Sequence, residues 1–72
     1  MVEVRAEMTA NVWQVRTEVG AGVAEGDVLL ILESMKMEIP VTAPVAGTVS
    51  EVRVAAEDTV KEGDVIAVIE ER

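Results

Sequence analysis

Apolar and charged residues alternate from the start of the chain, where Val2, Val4 and Ala6 are interleaved with Glu3, Arg5 and Glu7. A period of two puts the apolar set on one face of a strand and leaves the charged set in water. The same alternation returns at Ile39, Val41 and Ala43, interleaved with Glu38, Pro40 and Thr42. Pro40 has no N–H to give to a ladder, which puts it on an edge strand or outside the bonded positions. Val28 to Leu32 is a continuous apolar run, far too short to span a bilayer and the pattern of a strand buried on both sides or at a sheet-to-sheet contact. Val65 to Glu70 follows the same plan. Val49, Val52 and Val54 change from odd to even spacing, a phase slip that predicts a β-bulge or a local twist. Glu25-Gly26-Asp27 and Glu62-Gly63-Asp64 place Gly and Asp where tight turns use them, and Pro44 and Gly47 bracket another turn. Turns about every ten residues are what small all-β sandwiches and barrels require.

The chain is built from two copies of one pattern. A slide of 37 places lays Val12–Glu33 on Val49–Glu70 without a gap, and 9 of the 22 pairs are identical. Valine-rich composition can mimic part of such a match, but the block V-x-E-G-D-V, at 23–28 and 60–65, is too specific for composition to produce. An internal duplication implies one domain, 1–72, with repeats at 12–33 and 49–70. The expected fold is all-β: two four-stranded antiparallel sheets forming a flattened barrel or sandwich about a pseudo-twofold axis. Each copy gives alternate strands to both sheets.

Composition narrows the chemistry. Fifteen Val, four Ile and five Thr among 72 residues favour strands over helices. With no Cys and no His, disulfides, thiolate or imidazole metal sites and imidazole-based catalysis are excluded. Fourteen Asp and Glu against six Lys and Arg give a net charge of −8, which repels nucleic acid and anionic membranes and disfavours self-association. A monomer in isolation is expected. The first eight residues carry charges and no apolar core of a secretory signal, so a cytoplasmic location is expected. Trp13, the sole aromatic residue, is too isolated for a stacking platform and is expected as a partial core or edge contact.

The junction between the copies breaks the symmetry. Glu33-Ser34-Met35-Lys36-Met37-Glu38 lies between a strand ending near Glu33 and one starting near Met37, which predicts a hairpin tip of about two residues, Met35-Lys36. Two-residue hairpin loops favour type I′ turns, whose central residues need positive φ and are normally Asn-Gly or Asp-Gly. Non-Gly residues there cost roughly 1–3 kcal/mol each, so something other than turn stability accounts for this pair. A lysine at a hairpin tip is commonly a solvated charge that discourages edge pairing, and a methionine beside it is commonly core filler. The Gly-free tip, methionine on both sides and a chain with only two lysines, Lys36 and Lys61, favour a displayed amine instead. Lys36 has no neighbouring cation or apolar pocket in sequence to make it a nucleophile of its own, so it suits modification by another enzyme.

Glu33-Ser34-Met35-Lys36-Met37-Glu38-Ile39-Pro40 resembles the attachment segment of biotinyl domains, the biotin carboxyl carrier family, whose signature is E-A-M-K-M. Nearly the whole chain shares the resemblance, through the duplicated V-x-E-G-D halves and Thr42–Val49 after the hairpin. The resemblance implies a barrel-sandwich carrier, not an enzyme, with biotin joined as an amide to Lys36 by a biotin protein ligase. It implies that Met35 and Met37 flank the site for recognition and that Glu33 and Ser34 complete the motif. It further implies carboxyl transfer between biotin carboxylase and carboxyltransferase subunits. Lipoyl domains share the fold and usually carry D-K-A at this tip, so the methionines favour biotin over lipoate. A lipoyl carrier at the same lysine and an unmodified interaction module are the alternatives. Ser34 stands where the family has Ala, and Glu7-Met8-Thr9-Ala10 stands where many biotinyl domains have P-M-P-G.

Overall fold

In the computed structural model, which describes all 72 residues, the alternating segments form eight strands and no helix. They are β1 (Val2–Arg5), β2 (Ala10–Val15), β3 (Gly22–Val23), β4 (Val28–Ser34), β5 (Met37–Thr42), β6 (Gly47–Val52), β7 (Thr59–Val60) and β8 (Val65–Glu71). One sheet has the order β1-β8-β6-β3 and the other β5-β4-β2-β7, with every pair antiparallel. Moving β1 and β3 forward by 37 residues, and β6 and β8 back by 37, turns the first sheet into the second. Each half of the chain therefore gives two strands to each sheet, as the duplication implies.

Turn contacts follow the same symmetry. The Ala43 N–H donates to the Asp27 carbonyl at 2.8 Å, and Ala6 N–H donates to the Asp64 carbonyl at 2.9 Å. Gly26 N–H donates to the Ala43 carbonyl and Gly63 N–H to the Ala6 carbonyl, at 2.9 and 2.8 Å. Each Gly-Asp turn is thus tied to the chain leaving the edge strand, β5 or β1, of the sheet that the turn enters. The carboxylates close the turns from within: Asp27 Oδ2 accepts the Ala24 N–H at 2.8 Å and Asp64 Oδ2 accepts the Lys61 N–H at 2.9 Å. Each bond runs back three residues, from the carboxylate to the backbone N–H that opens the turn, which a short side chain with an acceptor oxygen can reach.

The phase slip at Val49–Val54 is a register shift between Val49 and Glu51 in β6, mirrored between Val12 and Gln14 in β2. Twelve apolar residues, among them Leu29, Leu30, Leu32, Ile66, Ile69, and Val12, form the core between the sheets. At 35 × 17 × 17 Å, the molecule is two sheets thick and no more. Pro40 lies in β5, an edge strand, where its missing N–H leaves no interior ladder bond unmade.

Two expectations need correction. The apolar run is buried only from Leu29 onward, since Val28 stands at the start of β4 and is 37% exposed. Trp13 is neither core nor edge. It lies on β2, an interior strand between β4 and β7, and is 42% exposed. Alternation along β2 explains this: Val12 faces the core at 1% exposure, so Trp13 faces outward, and the bulge that follows lets Val15 return to the core side.

Candidate functional site

Strands β4 and β5 pair in unbroken register from Leu30↔Val41 to Ser34↔Met37, one residue beyond the expected strand end at Glu33. Met35 and Lys36 are then the only residues left to reverse the chain. Both adopt the left-handed conformation, with φ of 52° and 65°. Positive φ at both central positions is the type I′ arrangement, whose twist matches that of the flanking strands. The strain of placing two side chains there, roughly 1–3 kcal/mol for each residue, is borne by the long β4–β5 ladder behind the turn.

That geometry points the tip into solvent. Met35 is 88% exposed and Met37 is 59% exposed, so neither is core filler. Lys36 is exposed between them, and Ser34, at the base of the turn, is half-buried. Ion pairs join Arg5 to Glu3 and Arg53 to Glu51; neither involves Lys36. Glu33 and Glu38 face one another across the hairpin one pair below Ser34 and Met37, and both are exposed. Two like charges directly opposite disfavour a sheet, so this pair gives the base of the hairpin a negative collar without strengthening it.

Lys61 offers a contrast within the same molecule. It is exposed, but it lies in the turn closed by Asp64, at the position Ala24 holds in the first copy. No methionine stands beside it.

A concavity of about 450 Å³ runs between the edge strands β1 and β5 and is lined by Val4, Ala6, Leu32, Ile39 and Val41 among others. Met35, Lys36 and Met37 are not part of it. The structure therefore presents an amine and two thioethers on a protrusion, with no pocket around them that would hold a substrate. The sequence brought Glu33, Ser34, Met35, Lys36 and Met37 together correctly as one hairpin end. The exposed Trp13 on the same sheet was missed.

Comparison with known proteins places the chain in a family. Residues 3–69 match the family model for biotin and lipoyl attachment domains, described as "Biotin-requiring enzyme". The chain belongs to that family. It is 55% identical over 67 residues to the biotinylated protein TB7.3 homolog of Mycobacterium leprae, covering 93% of this chain and 94% of that one. Among solved structures, the urea carboxylase of Kluyveromyces lactis superposes with a TM-score of 0.90 at 35% identity; the match takes in 96% of this chain and 6% of the carboxylase. The lipoyl domain of the 2-oxoglutarate dehydrogenase complex from Azotobacter vinelandii superposes with a TM-score of 0.83 over 99% of this chain and 98% of that domain. Its 19% identity makes it a likeness of fold alone.

Proposed function

We propose that this domain is a biotin carboxyl carrier, with biotin joined through an amide to Nζ of Lys36 by a biotin protein ligase. The observation that carries the reading is the Met35-Lys36 tip: a Gly-free left-handed turn that displays one amine between two exposed methionines. Similarity to a biotinylated mycobacterial protein and to part of a urea carboxylase supports biotin as the group.

The chain's own contribution is positional. The ligase would activate the biotin carboxyl with ATP as an acyl adenylate. Neutral Nζ of Lys36 attacks that carbonyl, AMP leaves and a proton is released, so the ammonium becomes an uncharged amide and the net goes from −8 to −9. The β4–β5 ladder holds the turn rigid, while the lysine side chain beyond it stays free to swing. A mobile arm on a rigid base raises the effective concentration of its end at each of two active sites in turn. When bound, biotin supplies a ureido nitrogen that can take up and release a carboxyl group. Both transfers belong to partner subunits, a biotin carboxylase and a carboxyltransferase, because this chain has no His, no Cys and no enclosed site at Lys36. Met35 and Met37 would meet the ligase or a partner as polarizable, adaptable contacts.

Co-expression with an active biotin protein ligase and free biotin, followed by intact mass and peptide mapping, tests this directly. The expected result is one biotinyl group, on Lys36. A lipoyl adduct obtained with a lipoate-attaching enzyme but not with the biotin ligase would replace the reading with the lipoyl carrier. An unmodified Lys36 under both conditions would leave an interaction module.

A further inference from the structure

Duplication gives this protein an internal control, because each position on one sheet has a counterpart on the other. The two outer faces differ at one row. On the sheet that carries the hairpin, the bulge residues Trp13 and Gln14 lie opposite Ile31, and Ile31 lies opposite Pro40. The counterpart row, 37 places away, is Ser50 and Glu51 opposite Val68, with Val68 opposite Glu3. Ile31 and Val68 are both buried, at 8% and 3% exposure, yet neither belongs to the core cluster, consistent with outward-facing positions covered by row neighbours.

The flanks of these two residues decide the character of each face. Val68 is flanked by polar side chains, and Ser50 Oγ donates to the Val68 carbonyl at 3.2 Å. Ile31 is flanked by Pro40, which is exposed, and by Trp13, which is 42% exposed. The same backbone geometry thus carries polar flanks on one sheet and, apart from Gln14, the apolar flanks Trp13 and Pro40 on the other. An indole held out of the core forgoes much of the burial that makes tryptophan stabilising, so folding alone does not account for it.

Position relative to the hairpin narrows the role. Between the apolar row and the tip lies the row Asn11, Glu33 and Glu38. A shallow depression of about 280 Å³ joins Trp13 to Asn11, Glu33 and Glu57. Ile31 precedes Lys36 by five residues, so the row lies about 15 Å from the lysine along the strand. An enzyme acting on Lys36 needs a footprint on the order of 800 Å² on this chain for a specific contact, and the tip supplies only part of that. The inner face of the hairpin's sheet is packed in the core. Its outer face is open to solvent at Trp13, Glu33, Glu38 and Pro40.

Building on the reading of Lys36 as the acylated residue, we infer that the Trp13–Ile31–Pro40 row is the surface on which the acylating enzyme docks. The complementary surface is an apolar slot for the indole, rimmed by basic side chains that meet Glu33, Glu38 and Glu57. A second copy of this chain is a poor occupant, because it would bring its own net charge of −8 to a face already lined by carboxylates.

A single tryptophan makes the test direct. The full chain labelled with 5-fluorotryptophan has one ¹⁹F resonance, and titration with biotin protein ligase should shift or broaden it saturably. Trp13→Ser installs the residue that the other sheet uses at this position; it should raise the KM for the carrier at least tenfold and change kcat less than twofold. Ser50→Trp should leave KM unchanged. The inference is overturned if wild-type chain accepts biotin while its ¹⁹F signal ignores the ligase, or if Trp13→Ser keeps the wild-type KM. It is also overturned if the resonance shifts with carrier concentration alone, which would mark a self-association face. The ¹⁹F titration uses the unmutated sequence, so it decides the matter even if Trp13→Ser folds poorly. Failure of wild-type chain to accept any biotin would instead strike at the reading of Lys36.

Discussion

Glu57 holds at φ 76° the left-handed backbone that its repeat counterpart, Gly20, holds at 94°. The two turns make matching bonds: Gly20 N–H donates to the Val49 carbonyl at 2.8 Å, and Glu57 N–H donates to the Val12 carbonyl at 2.7 Å. The duplication has kept the conformation while losing the residue best suited to it in one copy. An L side chain there costs about 1–2 kcal/mol. Glu57→Gly should therefore stabilise the domain by roughly 0.5–1 kcal/mol, after the greater chain entropy of glycine is offset. Gly20→Ala should cost about 1 kcal/mol or more. Thermal unfolding of the two variants measures both, and equal melting temperatures would contradict the strain argument.

Gly47 has a stricter requirement. A Cβ there would lie 2.2 Å from the Glu70 carbonyl oxygen and 2.8 Å from Ile69 Cγ2. The first neighbour is backbone and cannot swing aside. Gly47→Ala should push β6 away from β8 and destabilise the fold by about 1–3 kcal/mol, the range of overpacked cores. Denaturant unfolding is the appropriate measurement. A loss below a few tenths of a kcal/mol would mean the two strands separate more easily than this packing suggests.

The two lysines should part company on modification. Lys36→Arg keeps the charge and the turn but removes the acylatable amine, so streptavidin labelling after co-expression with ligase should fall to background. Lys61→Arg should label as wild type does. Equal labelling of both variants would sink the assignment of Lys36.

Replacement of Met35 and Met37 by Leu separates recognition from folding. At 88% and 59% exposure, these side chains contribute little to the core, and surface substitutions usually change stability by about 0.5 kcal/mol or less. The melting temperature should hardly move, whereas the rate of biotin attachment should drop. A large fall in thermal stability with an unchanged rate would make the methionines structural.

Much of this molecule was legible in its residues. Periodicity of two, the Gly-Asp turns and the 37-residue offset led to eight strands in two sheets, because side-chain alternation and turn chemistry are local consequences of backbone geometry. The Met35-Lys36 tip was legible for the same reason: so short a connection between Glu33 and Met37 allows only a tight hairpin. Even the bulge in β6 left a trace in the spacing of Val49, Val52 and Val54.

Tertiary structure alone decided which strands are interior and what each outer face displays. Ala10 and Asn11 of β2 pair with Val60 and Thr59 of the two-residue strand β7, nearly 50 residues later. That pairing puts Trp13 on an inner strand instead of an edge. Alternation after Val12 turns the indole outward, and the bulge opposite Ile31, which only the pairing with β4 reveals, returns Val15 to the core side. The chain's own pattern thus determined the repeat and the lysine at its junction. Packing of the two halves determined that the exposed tryptophan lies on an inner strand of that lysine's own sheet, because only cross-strand pairing sets which strands are neighbours.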